Sequence, residues 1–518
     1  MNSPQGIRLQ YALHPYSLRN SLQRLRTSLA VWLLLLSFAF PAFASDIAPS
    51  ASKPDTTSSI LSSLKSGQVA DAQGAQLDPD FILSLVFLPV HDLPYGVRLR
   101  RAHFTSRLDL SNAQVPASLW LVDCTFDDGV DFTGTRVAGD FSLEQSEFRY
   151  PAYTKDTNNI FIGLKVVGDT TLSSATFYGP VDFTNAEFRG EFTADNAKFL
   201  APDTSADFQY AQFRGTAFFR QSSFAGTLKM WFAQIQDLTL AFDQTAVIHR
   251  IEMPQVVVQR SLAIQGGQWD YLGLSSLRVL GTAALGPLCV SRQLDLHKAS
   301  FDTVSLNIIP CPANAGSFLT YVSGLRYFFI TSDDGGPPTD EFLQILAASN
   351  FKGIPNDPNN PADPGLFAQY SQFEAFLRAH NYTDDADRLL VAGKRRERQT
   401  SFKAWSSSAW WKSLFLDWTI GYGTAPLRPL VFCIVVVIIG TIVFRRPEQM
   451  EFKDDKHGPQ KYSAFWYSLD KFAPVIDLKV ADAWEPKTLA LQRLGIGIRI
   501  LGFFLVPLAF AAISGMFK

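Results

Sequence analysis

Between Ala175 and Gly226 large apolar residues return every five or six positions, in "ATFYGPVDFTNAEFRGEFTADNAKFLA" and again in "ADFQYAQFRGTAFFRQSSFAG". A small residue stands two places before many of them: Ala175/Phe177, Ala186/Phe188, Ala197/Phe199, Ala206/Phe208 and Ala211/Phe213. A weaker copy, "DCTFDDGVDFTG", contributes Phe126 and Phe132. Neither a helix, with period 3.6, nor an ordinary strand, with period 2, produces this spacing. A short strand followed by a corner does, and four such sides close one coil. Coils then stack about 4.8 Å apart, each leaving its backbone edge open until the next one covers it. The inward rings predicted are Phe126, Phe132, Phe177, Phe183, Phe188, Phe199, Phe208, Phe213, Phe218 and Phe224. Burying each one stabilises by about 2–3 kcal/mol.

On either side the inward residue becomes Leu, Val or Ile, as in "RLDLSNAQV" (107–115) and "RQLDLHKASFDTVSL" (292–306). The solenoid is therefore drawn over residues 95–320, with an inserted loop at 149–165 and an N-terminal cap at 78–94 containing "DPDFILSLVF". After the break "DDGGPPTD" the period turns helical. Tyr370, Phe373, Phe376 and Leu377 share one face, and Asp384 is placed as the N-cap of a second helix. A helical hairpin is expected over 338–404. Its acids Asp384, Asp385 and Asp387 suit helix capping better than metal binding.

Three apolar runs lie outside these regions. The first, "LAVWLLLLSFAFPAFA", follows Arg19, Arg24 and Arg26 and ends in an A-x-A pattern. It predicts a signal peptide over 1–44, with an uncleaved anchor as the alternative, and then a flexible linker over 45–77. The other two, "PLVFCIVVVIIGTIVF" and "ILGFFLVPLAFAAISGMF", predict transmembrane helices over 429–446 and 494–518. Segment 405–428 has the composition of a helix at the lipid–water boundary, anchored by Trp410, Trp411, Trp418, Tyr422 and Arg428. Arg445, Arg446 and Lys453 follow the first span and Lys487, Arg493 and Arg499 precede the second. That bias puts the 447–493 loop in the cytoplasm. The solenoid then lies on the periplasmic or external side of a bacterial inner membrane.

The repeat resembles the pentapeptide-repeat family, most specifically from Phe126 to Gly226, although fives alternate with sixes. That resemblance implies a mainly β fold: a right-handed four-sided β-helix, followed here by the helical hairpin and two transmembrane helices. The stretch "YSAFWYSLDKFAPVIDLKV" between the spans is similar to the pore helix of two-span ion-channel domains. Where such domains carry their filter it reads "FAPVID". The sequence "TIGYG" (419–423) is filter-like, but it precedes the first span, so Gly421 and Gly423 are expected to form a turn.

The chain has 43 Phe against 5 Met, and its formal charge is −2. No basic field points to nucleic acid, and the solenoid is too weakly acidic to imitate DNA. Four Cys are present. Cys289 and Cys311 are a possible disulfide in an exported domain, two buried thiols being the alternative. The seven His show no ligand spacing, and no phosphate loop or nucleophile elbow appears. The sequence thus favours a non-enzymatic membrane-anchored scaffold without cofactor or metal. It would contact lipid, carry a protein partner on the β-helix and self-associate through its transmembrane helices. An ion-conducting pore subunit is the alternative.

Overall fold

In "VDFTNAEF", Asp182 Oδ1 accepts the Thr184 N–H at 2.9 Å, and the Ala186 N–H closes a turn on the Phe183 carbonyl at 3.0 Å. Asn185 stands between them with φ at 59°. This device recurs along the computed structural model, which describes residues 56–149, 159–311, 319–333, 335–348, 364–401, 407–425, 427–453, 461–473 and 478–514. Asp109, Asp131, Asp207 and Asp295 each accept the N–H two residues ahead in the same way. A second corner of the early coils turns through Asp123, Gln145, Ser174, Asn196 and Gln221, all at positive φ. Short polar side chains suit these positions because they tolerate the left-handed region and bond locally.

Between corners the chain runs in short parallel strands forming a β-solenoid of about 10 turns. One row pairs Val97 with Leu119, Leu119 with Phe141 and Phe141 with Thr170. The same row continues to Ile330. Residues 159–165, expected in an inserted loop, instead belong to a coil, with Asn159 paired to Val181 and Lys165 to Arg136. Three further rows give each early coil four strand positions. In one of them Phe104, Phe126, Phe148, Phe177, Phe199 and Phe224 lie in register, with stacked rings 4.4–5.2 Å apart. A second ring column runs Phe132, Phe161, Phe183 and Phe208 at 4.5–5.3 Å. Phe188 and Phe213 start a third, at 5.1 Å. Beyond Gly226 the bore is filled by residues such as Met230, Met253, Leu274 and Leu296.

Phe218 departs from the expected list. Ala217 takes the inward place, paired with Phe192 and Leu238, so strand alternation turns Phe218 outward and Phe219 inward. Arg220 covers the Phe218 ring at 4.5 Å. The coils also run past residue 320, through a last strand at Arg326–Thr331.

Both ends are closed. Helix α1 (Thr56–Lys65) buries Ile60 and Leu64 against the first coil, and α2 (Pro79–Val86), N-capped by Asp78, buries Ile82, Leu85 and Val86. The linker expected over 45–77 is thus folded from residue 56 onward. Its Ser/Thr content masked an apolar i, i+4 pair. At the other end, Thr320 donates through N–H and Oγ to carbonyls of Ala348 and Ile345, tying α3 (Thr339–Ala347) to the last coils. Two antiparallel helices follow, α4 (Pro364–Ala379) and α5 (Thr383–Ser401). The helix α5 begins at Thr383, so Asp384 lies in its first turn rather than at the cap. Asp385 and Asp387 pair with Arg388 and Arg378.

The C-terminal part contains α6 (Ser408–Ile420), α7 (Arg428–Val443), α8 (Ala464–Phe472), α9 (Val480–Ala483) and α10 (Leu489–Ile513). Among the described residues one helix is long and apolar enough to cross a membrane, over Leu489–Ala511. Helix α7 has 16 residues and bends by 116° from α6. Short α8 wedges between α7 and α10. Gly440 of α7 faces Ser468, and at Gly502 of α10 a Cβ would stand 1.6 Å from the Phe472 carbonyl oxygen. Gly502→Ala is therefore expected to displace α8 and lower stability in detergent by about 1–3 kcal/mol. Gly497→Ala, where a Cβ meets nothing within 4 Å, should leave thermal unfolding unchanged. The expected signal peptide at 1–44 lies outside the described residues.

Candidate functional site

The solenoid repeats not only its rings but its surface. Thr227, Arg250, Tyr271 and Gln293 occupy one register position in four successive coils, far apart in sequence and neighbours on one wall. They line a cleft of about 560 Å3, together with His249, Asp270 and Arg292 from the adjoining corner. Asp270 holds the corner together. Its Oδ1 accepts from Ser291 Oγ at 2.5 Å, and its Oδ2 lies 3.2 Å from His249 Nδ1. Arg250 stacks on the Tyr271 ring at 4.2 Å and donates to Glu252 Oε1 at 2.5 Å. The other Glu252 oxygen accepts from Trp231 Nε1 at 2.9 Å, linking the cleft to the next corner. At Gly273 a Cβ would stand 2.6 Å from the Tyr271 ring, so glycine is what lets the ring lie along the wall. Burial raises the Tyr271 phenol, with Asp295 nearby adding to the effect, and burial raises Asp295 as well.

The arrangement of Ser291, Asp270 and His249 is not that of a catalytic triad. A Ser–His–Asp arrangement needs the His between nucleophile and carboxylate. Here Asp270 stands between Ser291 and His249, and Ser291 directs its proton to the carboxylate. At the corner beyond Trp231, Tyr210 and Phe232 stack at 5.0 Å with φ of 58° and 60°. Other coils place Asn, Gly, Gln, Ser or Lys there. Bulky residues in the left-handed region are rare, and both rings are partly exposed.

A larger cleft of about 680 Å3 lies nearer the N-terminal end, lined by Asp71, Arg100, Trp120, Asp140 and Asp169 among others. Three of its acids are engaged: Asp71 pairs with Arg101, Asp140 accepts the Asp169 N–H and Asp169 accepts the Glu191 N–H. No group of three potential metal ligands occurs among the described residues.

In the C-terminal part, Asp417 of α6 receives Arg395 (2.9 Å) and Arg398 (2.9 Å) from α5. Arg398 also donates to the Tyr422 hydroxyl at 3.0 Å, which lies 2.7 Å from Ser413 Oγ. Burial pushes the Asp417 carboxyl up, but the hydrogen bonds from Arg395 and Arg398 more than offset this and hold it below the ordinary carboxylate value. The Gly421–Gly423 stretch is a tight turn, with Gly421 and Tyr422 both left-handed. Tyr422, expected as a headgroup anchor, instead has its hydroxyl in this network. Arg428 donates to the Asp417 carbonyl at 3.4 Å. Trp418 is 62% exposed and Trp411 48% exposed, while Trp410 packs edge-on to Trp411 at 5.0 Å.

A disulfide joins Cys289 and Cys311 across neighbouring coils, their Cα atoms 5.0 Å apart. Cys124 is buried, and burial pushes its thiol up to about 12. No local motif marks the cleft. Its residues recur at the length of a coil, and only a reading at that period aligns them. No family model, no curated protein and no solved structure matches this chain.

Proposed function

We propose that this chain is a membrane-anchored scaffold of the pentapeptide-repeat kind: a right-handed, four-sided β-helix held outside the membrane to engage a macromolecular partner, without catalysis. The observation that carries the anchoring is an apolar surface on α7 and α10 that water would solvate poorly. Val431, Ile434, Ile438, Ile442, Phe504 and Phe510 are each 50–70% exposed, an area suited to lipid. In this reading both helices cross. At 1.5 Å per residue α7 reaches about 24 Å, short of a core of about 30 Å, and Phe444 with local thinning supplies the rest. Arg445, Arg446, Lys453 and Lys487 then lie in the cytoplasm.

A reporter fused at Asp455 is expected to be active in the cytoplasm, and the intact chain should float with membranes after a high-salt wash. A periplasmic reporter signal at Asp455 would refute the orientation, and release by salt would refute the anchor. The wedge of α8 between two apolar helices favours a second reading, a channel-like pore formed by several copies. It predicts conductance in planar bilayers, and silence at high protein density would remove it.

A further inference from the structure

We propose that the cleft formed by Thr227, Arg250, Tyr271 and Gln293 binds an acidic polysaccharide, one whose sugar units carry carboxylates. This rests on the reading of the solenoid as a recognition surface and names its ligand. The first argument is hydrogen-bonding capacity. Both acids of the wall are engaged internally, Asp270 by Ser291 and His249 and Glu252 by Arg250 and Trp231. The Arg292 side chain makes no hydrogen bond or ion pair among the described residues, and Lys229 next to the cleft makes no ion pair there. What the cleft offers is donors and positive charge. Its missing complement is an anion rich in acceptors.

The second argument is repeat length. The four register positions succeed one another at the coil rise of about 4.8 Å, so the cleft presents a polar group at each step over about 14 Å. One step is close to the length of a pyranose unit in an extended glycan. An extended peptide advances about 3.4 Å per residue and reverses its side chains at each one, so it falls out of step with this wall. Tyr271, whose ring lies along the cleft wall, supplies apolar contact for the C–H face of a sugar.

The experiment is calorimetric titration of the full chain in detergent micelles with oligogalacturonates of two to six units. Neutral maltohexaose and hexaglutamate are the comparison probes. Affinity for galacturonate should rise with length to about four units and then level off, as the cleft length requires. Arg292→Gln should weaken binding by at least about tenfold, the worth of one charged hydrogen bond. Arg326→Gln, an arginine of another strand row, should not. Several results would overturn the proposal: no galacturonate binding at millimolar concentration, equal binding of maltohexaose, or equal loss in both variants. Hexaglutamate bound as tightly as the uronates would assign the surface to an acidic protein instead. Flotation and the Asp455 reporter do not depend on this ligand, so failure here leaves the anchored reading intact.

Discussion

Phe183→Ala is expected to destabilise the solenoid by about 3–5 kcal/mol, the usual cost of removing a fully enclosed ring. Phe183 has no accessible surface. It stacks between Phe161 at 4.5 Å and Phe208 at 4.7 Å and meets Phe188 and Phe192 edge-on at 5.9 and 6.2 Å. Corner turns on both sides fix the backbone, so the walls cannot collapse into the void, and the loss should fall at the upper end. Because each coil touches only its neighbours, the damage should be local. Urea titration of the full chain in mild detergent, read by hydrogen exchange, should show the amides of coils 159–213 losing protection first. Phe232→Ala, outside the tube, should shift stability by less than about 1 kcal/mol. A Phe183→Ala loss no larger than that of Phe232→Ala would mean that the ring column does not hold the domain.

The ring columns were legible in the sequence because one geometry, a small residue two places before a Phe, recurs five times from Ala175 to Phe213. Two things obscured the rest. Where one strand lengthens, as at Gln212–Arg220, two adjacent Phe compete for the inside, and only pairing with the neighbouring coils decides that Phe219 wins over Phe218. Where Leu, Ile, Val and Met take most inward places after Gly226, the inward residues no longer stand out from ordinary strands. The coils therefore continue past the expected end at residue 320, through Arg326–Thr331. The cleft was illegible for a further reason. His249, Asp270 and Arg292 carry no local motif, and the coil length that aligns them varies because the corners differ by a residue. In the C-terminal part "GYG" forms the turn that its place before the apolar run predicts. Its partners on α5 were too distant in sequence to foresee.

Those partners set the second large effect. Asp417→Ala should cost about 3 kcal/mol or more, because it strands a buried cation. The Arg398 side chain is 12% exposed and Asp417 10% exposed, whereas Arg395, at 51%, can turn to water and adds little. The loss should appear as a lower unfolding midpoint of the full chain in detergent. Tyr422→Phe, which removes only one hydrogen-bond partner of Arg398, should cost about 1 kcal/mol. The pH dependence separates charge from packing. The folded Asp417 carboxyl is held below its ordinary value, so in the window below about 3.9 the unfolded chain binds the extra proton. Stability from this group is therefore fully present above that value and is lost as pH falls through the folded value. Between pH 7 and 5 it is flat. Asp417→Asn keeps the shape and removes the charge, so its deficit relative to the unaltered chain should be constant from pH 7 to 5 and shrink only in the acid range. A deficit that shrank already near pH 6 would mean that a different group titrates there. A negligible deficit at pH 7 would mean that α5 and α6 are joined by packing alone, and the Asp417 clamp would then carry no mechanical link between α5 and the C-terminal helices.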